Sequence, residues 1–270
     1  MLYLGNNYPI GIFDSGVGGL TVVRSLLDQL PGEHFIYFGD TAHVPYGSKE
    51  QHQLFAYARD IIAFLISKKV KAIVVACGTH SAVTVPHLKN DYPIPILGVL
   101  KAGARSVVRT THNGKIGVVA TSATVKSQAY TSEILQLNKD LQVFEQACPR
   151  FVPLVESGQI DSDDSLQAIK EYIQPLLDRQ IDSLVLGCTH YPFLAPQIKN
   201  YVGEGVALVD PSCETIEELK AILAAQDMFN QETGNPTREF YVSGQDDSFY
   251  NVGRLLIGDI IDQVQKINLD

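Results

Sequence analysis

Two segments of the chain end in almost the same way, and each begins as a short apolar run typical of a buried strand. The first reads IVVACGTH at residues 73–80, and the second reads SLVLGCTH at residues 183–190. A buried strand that ends in a polar turn is typical of a parallel α/β sheet, in which ligands bind at the carboxyl ends of the strands. The repeat therefore predicts an α/β fold that brings Cys77 and Cys188 to one site.

Strand-like and helical patterns alternate along most of the sequence, which predicts parallel sheets. Apolar residues at helical spacing predict a helix over 49–68. Asp210 followed by Pro211 predicts the start of another helix. The predicted strands are 10–13, 35–38, 73–76, 96–99, 116–120, 143–147, 184–186 and 206–209.

The repeat also predicts the domain organisation. Because each Cys-containing run closes a strand of its own half, we expect two similar parallel-sheet α/β domains related by pseudo-twofold symmetry. The active site is expected in the cleft between them. The predicted first domain is discontinuous, with residues 1–99 and 211–270, and the second contains residues 100–210. A chain of 270 residues is long enough for both.

Composition and charge exclude several classes of protein. The net charge is −9 and the basic residues are scattered, which disfavours nucleic acid as a partner. The sequence contains no apolar run near the 18 or so residues that cross a membrane. The first eight residues lack the basic segment and apolar core of a signal peptide, so a cytoplasmic location is expected. The four cysteines are then expected to be reduced.

Two thiols that face one substrate are suited to inverting a carbon centre. One thiolate removes a proton from carbon, and the other thiol returns a proton to the opposite face. Since free cysteine has a pKa of about 8.5, neighbouring acids and bases are expected to assist. Candidates are Asp14, His80, Glu156 and His190. Cys148 and Cys213 are interpreted instead as small buried apolar residues.

A metal site is an alternative use of the same residues. Cys77, His80, Cys188 and His190 are types that bind zinc, and a metal-dependent hydrolase is one hypothesis. Their spacings differ from those of structural zinc sites, so no metal is expected. A further alternative is a catalytically silent protein that keeps the cleft and binds an amino acid without reacting with it.

Two loops near the amino terminus are candidate substrate loops. The segment GIFDSGVGGL at 11–20 looks like a dinucleotide-binding turn, but Thr21 stands where its third glycine is required. Asp14 places a carboxylate where a pyrophosphate would lie, which suits a cationic amine better. In the second loop, Tyr46 and the amide of Gly47 are candidate donors to a carboxylate, with a structural turn as the equally supported alternative.

Together, these segments resemble the glutamate racemase family, the cofactor-independent amino-acid racemases of bacterial cell-wall synthesis. The resemblance runs from about residue 9 to residue 218. Its motifs occupy residues 14–19, 39–47, 114–118, 123–125, 151–156 and 186–192. It implies an isomerase that interconverts L- and D-glutamate, supplies D-glutamate for peptidoglycan and forms a homodimer, with no cofactor.

The resemblance also implies roles for individual residues. Cys77 and Cys188 are the implied acid and base, with Cys77 acting on the D-enantiomer and Cys188 on the L-enantiomer. Asp14, Glu156 and His190 are implied to assist the proton transfers. The implied substrate-binding residues are Asp14, Ser15, Tyr46, Gly47, Gly78, Thr79, Thr189 and His190.

The sequence departs from the family pattern beside the first thiol. Most relatives have Ala-Cys-Asn-Thr-Ala, whereas this chain has Ala-Cys-Gly-Thr-His at residues 76–80. Gly78 leaves only a backbone N–H where an amide side chain is usual, and His80 adds an imidazole that is expected to point to another face of the turn. His43 stands where arginine is usual. A racemase that acts on aspartate or another amino acid is therefore the alternative function.

Overall fold

A computed structural model describes residues 5–244 and 246–269, in which strands and helices alternate. The strands are β1 (Ile10–Asp14), β2 (Phe35–Gly39), β3 (Ala72–Val75), β4 (Ile96–Gly98), β5 (Lys115–Ala120), β6 (Gln142–Ala147), β7 (Ser183–Leu186), β8 (Ala207–Val209), β9 (Arg238–Val242) and β10 (Val264–Lys266). The helices are α1 (Leu20–Gln29), α2 (Gln51–Ser67), α3 (Gly78–Val83), α4 (Val85–Leu88), α5 (Val99–Thr110), α6 (Ser122–Ser127), α7 (Ala129–Leu137), α8 (Phe151–Glu156), α9 (Asp163–Leu177), α10 (Ala195–Val202), α11 (Pro211–Ala225) and α12 (Asp246–Ile257). Short 3₁₀ helices occupy Tyr46–Ser48, Tyr191–Leu194 and Gly258–Ile260.

All eight predicted strands are confirmed to within a few residues, and so are the two predicted helices. Helix α2 begins with a capping box, in which Glu50 and Gln53 each bond to the other's backbone N–H. Helix α11 begins at Pro211, and the Asp210 carboxylate accepts a hydrogen bond from the Ser212 amide. Strands β9 and β10 were not predicted from the sequence.

The strands form two sheets whose described pairings are all parallel. The larger sheet has the order β10-β9-β2-β1-β3-β4, and the smaller one has the order β6-β5-β7-β8. The two parallel-sheet α/β domains predicted from the repeat are therefore present. Their boundaries at residues 99 and 210 stay a prediction.

The two sheets repeat one topology. In the larger sheet, β1 lies between β2 and β3, and β4 lies beyond β3. In the smaller sheet, β5 lies between β6 and β7, and β8 lies beyond β7. The strand order thus reverses between β1 and β3, and again between β5 and β7. Ligands of open α/β sheets bind at the carboxyl ends of strands beside such a switch point. Cys77 follows β3 and Cys188 follows β7, so each thiol lies beside the switch point of its own sheet.

The chain crosses between the two sheets twice, and a helix follows each crossing. Helix α5 follows β4, and helix α11 follows β8. These two helices pack against each other and are joined by two short ion pairs, Arg105 to Glu218 at 2.5 Å and Arg109 to Glu214 at 2.6 Å. The two connections between the sheets therefore lie side by side.

No helix among residues 5–244 and 246–269 is both long and apolar enough to cross a membrane.

Candidate active site

Residues from both sheets line a small cavity that contains the two repeated thiols. Its volume is about 100 Å³, and the side chains of Cys77 and Cys188 are almost fully buried in its wall. Usual ligand pockets have volumes of about 300–1,000 Å³, so this cavity suits a small ligand. A larger cavity of about 500 Å³, lined by residues such as Lys89, Lys101 and Glu133, contains neither thiol. We place the candidate active site in the smaller cavity because the reactive groups are there.

Most of the predicted site residues line this cavity. Those in the wall are Ser15, Tyr46, Gly47, Cys77, Thr79, Cys188, Thr189 and His190. The other predicted residues, Asp14, Gly78 and Glu156, lie behind the wall and contact residues that line it. The structure thus brings together all the residues that the sequence analysis selected.

Cys188 is the first member of a chain of polar contacts. Its Sγ lies 3.7 Å from Nδ1 of His190, and Nε2 of His190 lies 2.6 Å from Oε1 of Glu156. Burial lowers the pKa of His190, but the hydrogen bonds and charges of Cys188 and Glu156 outweigh burial and hold this pKa well above its ordinary value. Nδ1 of His190 is thus placed to exchange a proton with Cys188, with Glu156 on the other side of the ring to stabilise an imidazolium. This arrangement favours Cys188 as the base.

Cys77 has different neighbours. Burial raises the pKa of its thiol well above the ordinary value, and the charge of Asp14 raises it further. The backbone N–H groups of His80 and Thr79, at the start of α3, bond to the sulfur and partly offset this effect. Cys77 is therefore a protonated thiol at neutral pH. The two thiols therefore have different surroundings: those of Cys77 suit an acid, and those of Cys188 suit a base.

Asp14 links the two domains behind the cavity. The carboxylate accepts a hydrogen bond from the Thr189 hydroxyl at 2.7 Å, and it accepts longer bonds from Ser15 and the Gly16 amide. Burial raises the pKa of Asp14 above its ordinary value, and the charge of His190 and the hydrogen bonds from Thr189 and Gly16 offset only part of this rise. Asp14 thus positions residues on both sides of the cavity, and its own carboxylate lies behind Ser15 and Thr189.

His80 occupies an apolar position beside the first thiol. Its ring is fully buried against Phe13 and Tyr46, with ring centroids 5.5 and 4.6 Å away, and its Nδ1 lies 3.0 Å from the Thr84 hydroxyl. This position agrees with the expectation that His80 points to another face of the turn. Burial lowers the pKa of His80 to about 3. His80 is therefore neutral, and it does not replace the missing amide at Gly78 in the cavity wall.

The buried neutral imidazole predicts a pH dependence of stability. In the unfolded chain His80 titrates near pH 6.5, and in the folded chain near pH 3, so the unfolded state binds the extra proton between these values. The contribution of His80 is complete above pH 6.5 and is lost as the pH falls towards 3. As the pH is lowered from 6.5 towards 3, we expect the free energy of unfolding to fall more steeply in the wild type than in His80→Phe. The difference between the two slopes is expected to be roughly 1 kcal/mol per pH unit.

Denaturant unfolding at a series of pH values from 7 to 4 measures this difference. His52→Gln is the matched control, because His52 is exposed on α2 and its replacement leaves the slope unchanged. Parallel curves for the wild type and His80→Phe would contradict the prediction.

The loop that contains Tyr46 is held by a buried carboxylate. Asp40 accepts hydrogen bonds from the Tyr46 hydroxyl and from the Ser243 hydroxyl, and it lies 2.8 Å from Nδ1 of His43. The Tyr46 hydroxyl was expected to be a donor to a substrate carboxylate, but in the structure it donates to Asp40. Gly47 lines the cavity beside it.

Gly78 makes an unusually close contact between the two thiol-bearing turns. A Cβ atom at this position would lie 2.3 Å from the backbone oxygen of Gly187, far inside contact distance. The missing side chain thus removes an amide and also lets the turn of Cys77 rest on the turn of Cys188. The sequence analysis considered only the first of these effects.

Several residues of the cavity wall were not predicted, and Thr121 and Cys148 are the two with chemistry of interest. Thr121 follows β5 and its hydroxyl lies 2.9 Å from that of Thr79, so it joins the two domains. Its place after β5 corresponds to that of Ser15 after β1, and the internal repeat was the signal that would have found it. Cys148 is buried as expected but lines the cavity, and burial raises its pKa well above the ordinary value. The prediction for Cys213 was wrong, because this thiol is exposed near the start of α11.

No group of three or more His, Cys, Asp or Glu side chains within the described ranges is arranged to hold a metal ion.

Comparisons with known proteins agree with the fold. The sequence matches the family described as Asp/Glu/Hydantoin racemase over residues 10–219. It is 42% identical over 262 residues to a glutamate racemase of Thermoanaerobacter sp. (strain X514), covering 97% of this chain and 98% of that protein. A glutamate racemase of Neisseria meningitidis serogroup A is 43% identical over 267 residues, covering 98% of each.

Solved structures are similar over nearly the whole chain. A glutamate racemase isoform from Bacillus anthracis matches with a TM-score of 0.92 and 35% identity, covering 98% of both chains. The glutamate racemase from Francisella tularensis in complex with D-glutamate matches with a TM-score of 0.91 and 36% identity, covering 98% of this chain and 99% of that one.

The chain belongs to the Asp/Glu/Hydantoin racemase family, and it is therefore an isomerase of the racemase type. The resemblance and the isomerase class predicted from the sequence motifs are confirmed.

Proposed function

We propose that this racemase interconverts L- and D-glutamate by a two-thiol mechanism that needs no cofactor. The observation that carries the proposal is the unequal pair of thiols in one cavity. Cys188 contacts an imidazole and a carboxylate in series, whereas Cys77 lies at the start of α3 with a raised pKa. One group is arranged as a base and the other as an acid before substrate arrives. Glutamate is proposed as the substrate because the relatives are named glutamate racemase.

In the proposed reaction the substrate's α-carbon lies between the two sulfur atoms. The Cys188 thiolate takes the α-proton of L-glutamate, and the electron pair of the C–H bond passes into the substrate carboxylate. The Cys77 thiol then gives its proton to the opposite face, which yields D-glutamate and leaves the Cys77 thiolate. The reverse reaction begins from that state, with Cys77 as the base acting on D-glutamate.

Polar groups around the cavity are proposed to hold the substrate. The hydroxyls of Ser15, Thr79 and Thr189 line the cavity on both sides. Those of Ser15 and Thr189 donate to Asp14, whereas the Thr79 hydroxyl can accept from Thr121 and donate to a substrate carboxylate. A donor placed there before the reaction stabilises the charge that develops as the α-proton leaves. Asp14, behind this wall, is proposed to balance the substrate's ammonium group and to assist proton transfer.

The wider role is proposed from the family resemblance alone. It includes the supply of D-glutamate for peptidoglycan, a cytoplasmic location and a homodimer. The domain boundaries, with residues 1–99 and 211–270 in one domain and 100–210 in the other, are part of the same proposal.

Racemisation in heavy water, with several amino acids, tests reaction type and substrate together. We expect L- and D-glutamate to be interconverted with incorporation of solvent deuterium at the α-carbon, at a higher kcat/KM than aspartate or any other amino acid tested. Chiral chromatography measures the enantiomers, and proton NMR measures the α-hydrogen.

Three outcomes would contradict the proposal. A higher kcat/KM for aspartate than for glutamate would indicate an aspartate racemase. Binding of glutamate without exchange of its α-hydrogen would indicate a silent binding protein. Activity that a chelator abolishes, together with stoichiometric zinc in protein purified without added metal, would favour the hydrolase hypothesis.

A further inference from the structure

The hydroxyl of Tyr37 lies beneath the glycine-rich turn that joins β1 to α1. It donates a hydrogen bond to the backbone oxygen of Gly16 at 2.6 Å and bonds to the amide of Gly19. The approach is close, since a Cβ atom on Gly19 would lie 2.5 Å from the hydroxyl oxygen. Tyr37 is fully buried, so this single phenol fixes both ends of the turn.

The peptide unit held by Tyr37 reaches the second thiol through two further contacts. The oxygen of Gly16 and the amide of Val17 belong to one planar peptide unit, so fixing one fixes the other. The Val17 amide donates to Oε1 of Glu156 at 3.1 Å, and the same oxygen bonds to Nε2 of His190. His190 in turn contacts Cys188. A rotation of this peptide unit would remove the donor that holds Glu156 in place.

The glycine-rich turn and the Glu156 carboxylate pack so closely that there is no room for a different arrangement of the two. A Cβ atom on Gly16 would lie 2.1 Å from Oε1 of Glu156, so the carboxylate rests directly on the backbone of the turn. From the other side, the ring of Tyr37 stacks on Phe249 of α12 with centroids 5.7 Å apart and planes 29° apart. Helix α12 thus supports the phenol, which supports the turn.

We propose that Tyr37 is a positioning residue for Cys188: through the peptide unit of Gly16 and Val17 it holds Glu156 and His190 in the geometry that makes this thiol reactive. The inference rests on the proposed function, in which Cys188 is one of two acid/base thiols. Cys77 bonds to amides of α3, and among the described residues it makes no hydrogen bond to Tyr37, Glu156 or His190. Loss of the Tyr37 hydroxyl therefore acts on one thiol.

Alkylation of the thiols in Tyr37→Phe tests the proposal without substrate. The protein is treated with iodoacetamide, and mass spectrometry follows each cysteine. Because the thiolate is the nucleophile, we expect the ratio of Cys188 to Cys77 alkylation to fall several-fold. General loosening of the fold would instead raise the rate of Cys77, whereas the proposal predicts that the Cys188 rate falls and the Cys77 rate stays unchanged. An unchanged ratio in a folded variant would overturn the proposal.

Racemase kinetics give a second readout. We expect kcat of Tyr37→Phe to fall about tenfold and KM to change by less than about twofold, because the hydroxyl orients the base and touches no substrate. Equal kcat in variant and wild type would overturn the proposal. Absence of racemisation in the wild type would instead refute the proposed function, and the alkylation ratio would still decide the role of Tyr37.

Tyr241→Phe is the matched control. Tyr241 is also buried, and its hydroxyl bonds to Glu239 and Lys68, which lie neither in the cavity wall nor in the chain of hydrogen bonds from Tyr37 to Cys188, so its removal leaves the ratio and kcat unchanged. If Tyr37→Phe does not fold, the same measurements on Phe249→Leu test the proposal, since that change frees one side of the Tyr37 ring and keeps the hydroxyl. A smaller fall in the same ratio supports the proposal, and an unchanged ratio overturns it.

Discussion

Replacement of either thiol, as Cys77→Ala or Cys188→Ala, is expected to lower racemisation by about 10²–10⁴-fold, the usual contribution of an acid or base in proton transfer. The loss of kcat/KM is expected to be equal for conversion of L- to D-glutamate and of D- to L-glutamate. The enantiomers have equal free energies, so kcat/KM must be the same from either side in every variant. Each direction also uses both thiols, one to take the proton and one to return it.

The two variants are expected to differ in the exchange that survives. In Cys188→Ala the remaining thiol faces one side of the substrate, so it exchanges the α-hydrogen of D-glutamate with solvent and leaves the configuration unchanged. In Cys77→Ala the same reaction is expected with L-glutamate. Proton NMR in heavy water measures exchange, and chiral chromatography measures racemisation.

Cys213→Ala is the control for this pair, because that thiol is exposed and remote from the cavity wall. It is expected to keep wild-type activity. Wild-type kcat in either Cys77→Ala or Cys188→Ala would remove that residue from the mechanism. Exchange of both enantiomers by one single-thiol variant would show that another group acts as a base.

The fold was predictable where burial leaves a continuous apolar run. Strands β1, β3 and β7 are buried on both faces, and such strands are read directly from sequence. Strand β10 was missed for the opposite reason. It has three residues at the edge of its sheet, and its side chains are half-buried or exposed, so its sequence carries no apolar pattern.

The site was predictable where the repeat showed it. The repeat identified Cys77, Cys188 and His190 because their chemistry lies within a few positions of a strand end. The repeat could have indicated Thr121 as a residue that follows a strand, but its contact with Thr79 was not predictable in this way, and neither was that of Tyr37 with Gly16. Thr121 meets Thr79 across 42 positions, and Tyr37 meets Gly16 across 21, so only the packed fold brings these groups together.

The direct contact between the thiol-bearing turns predicts a large effect for Gly78→Ala. The added Cβ would lie 2.3 Å from the Gly187 oxygen and 3.3 Å from the Gly187 carbon. The turn of Gly187 cannot yield easily, because its amide is bonded to the Val119 oxygen of β5 at 2.8 Å. The turns of Cys77 and Cys188 must therefore separate. A displacement near 1 Å at reacting groups costs about 10²-fold in rate, and we expect kcat to fall by that factor.

Steady-state kinetics and denaturant unfolding together test this prediction. Overpacking costs typically about 1–3 kcal/mol, so Gly78→Ala is also expected to lower the free energy of unfolding by an amount in that range. Gly32→Ala is the matched control, since a Cβ atom there would meet nothing within 4 Å, and its kcat is expected to equal that of the wild type. Wild-type kcat in Gly78→Ala would mean that the contact between the turns does not set the separation of the thiols. A fall in kcat with the predicted loss of stability would identify Gly78 as the residue that brings the acid and the base to their working distance.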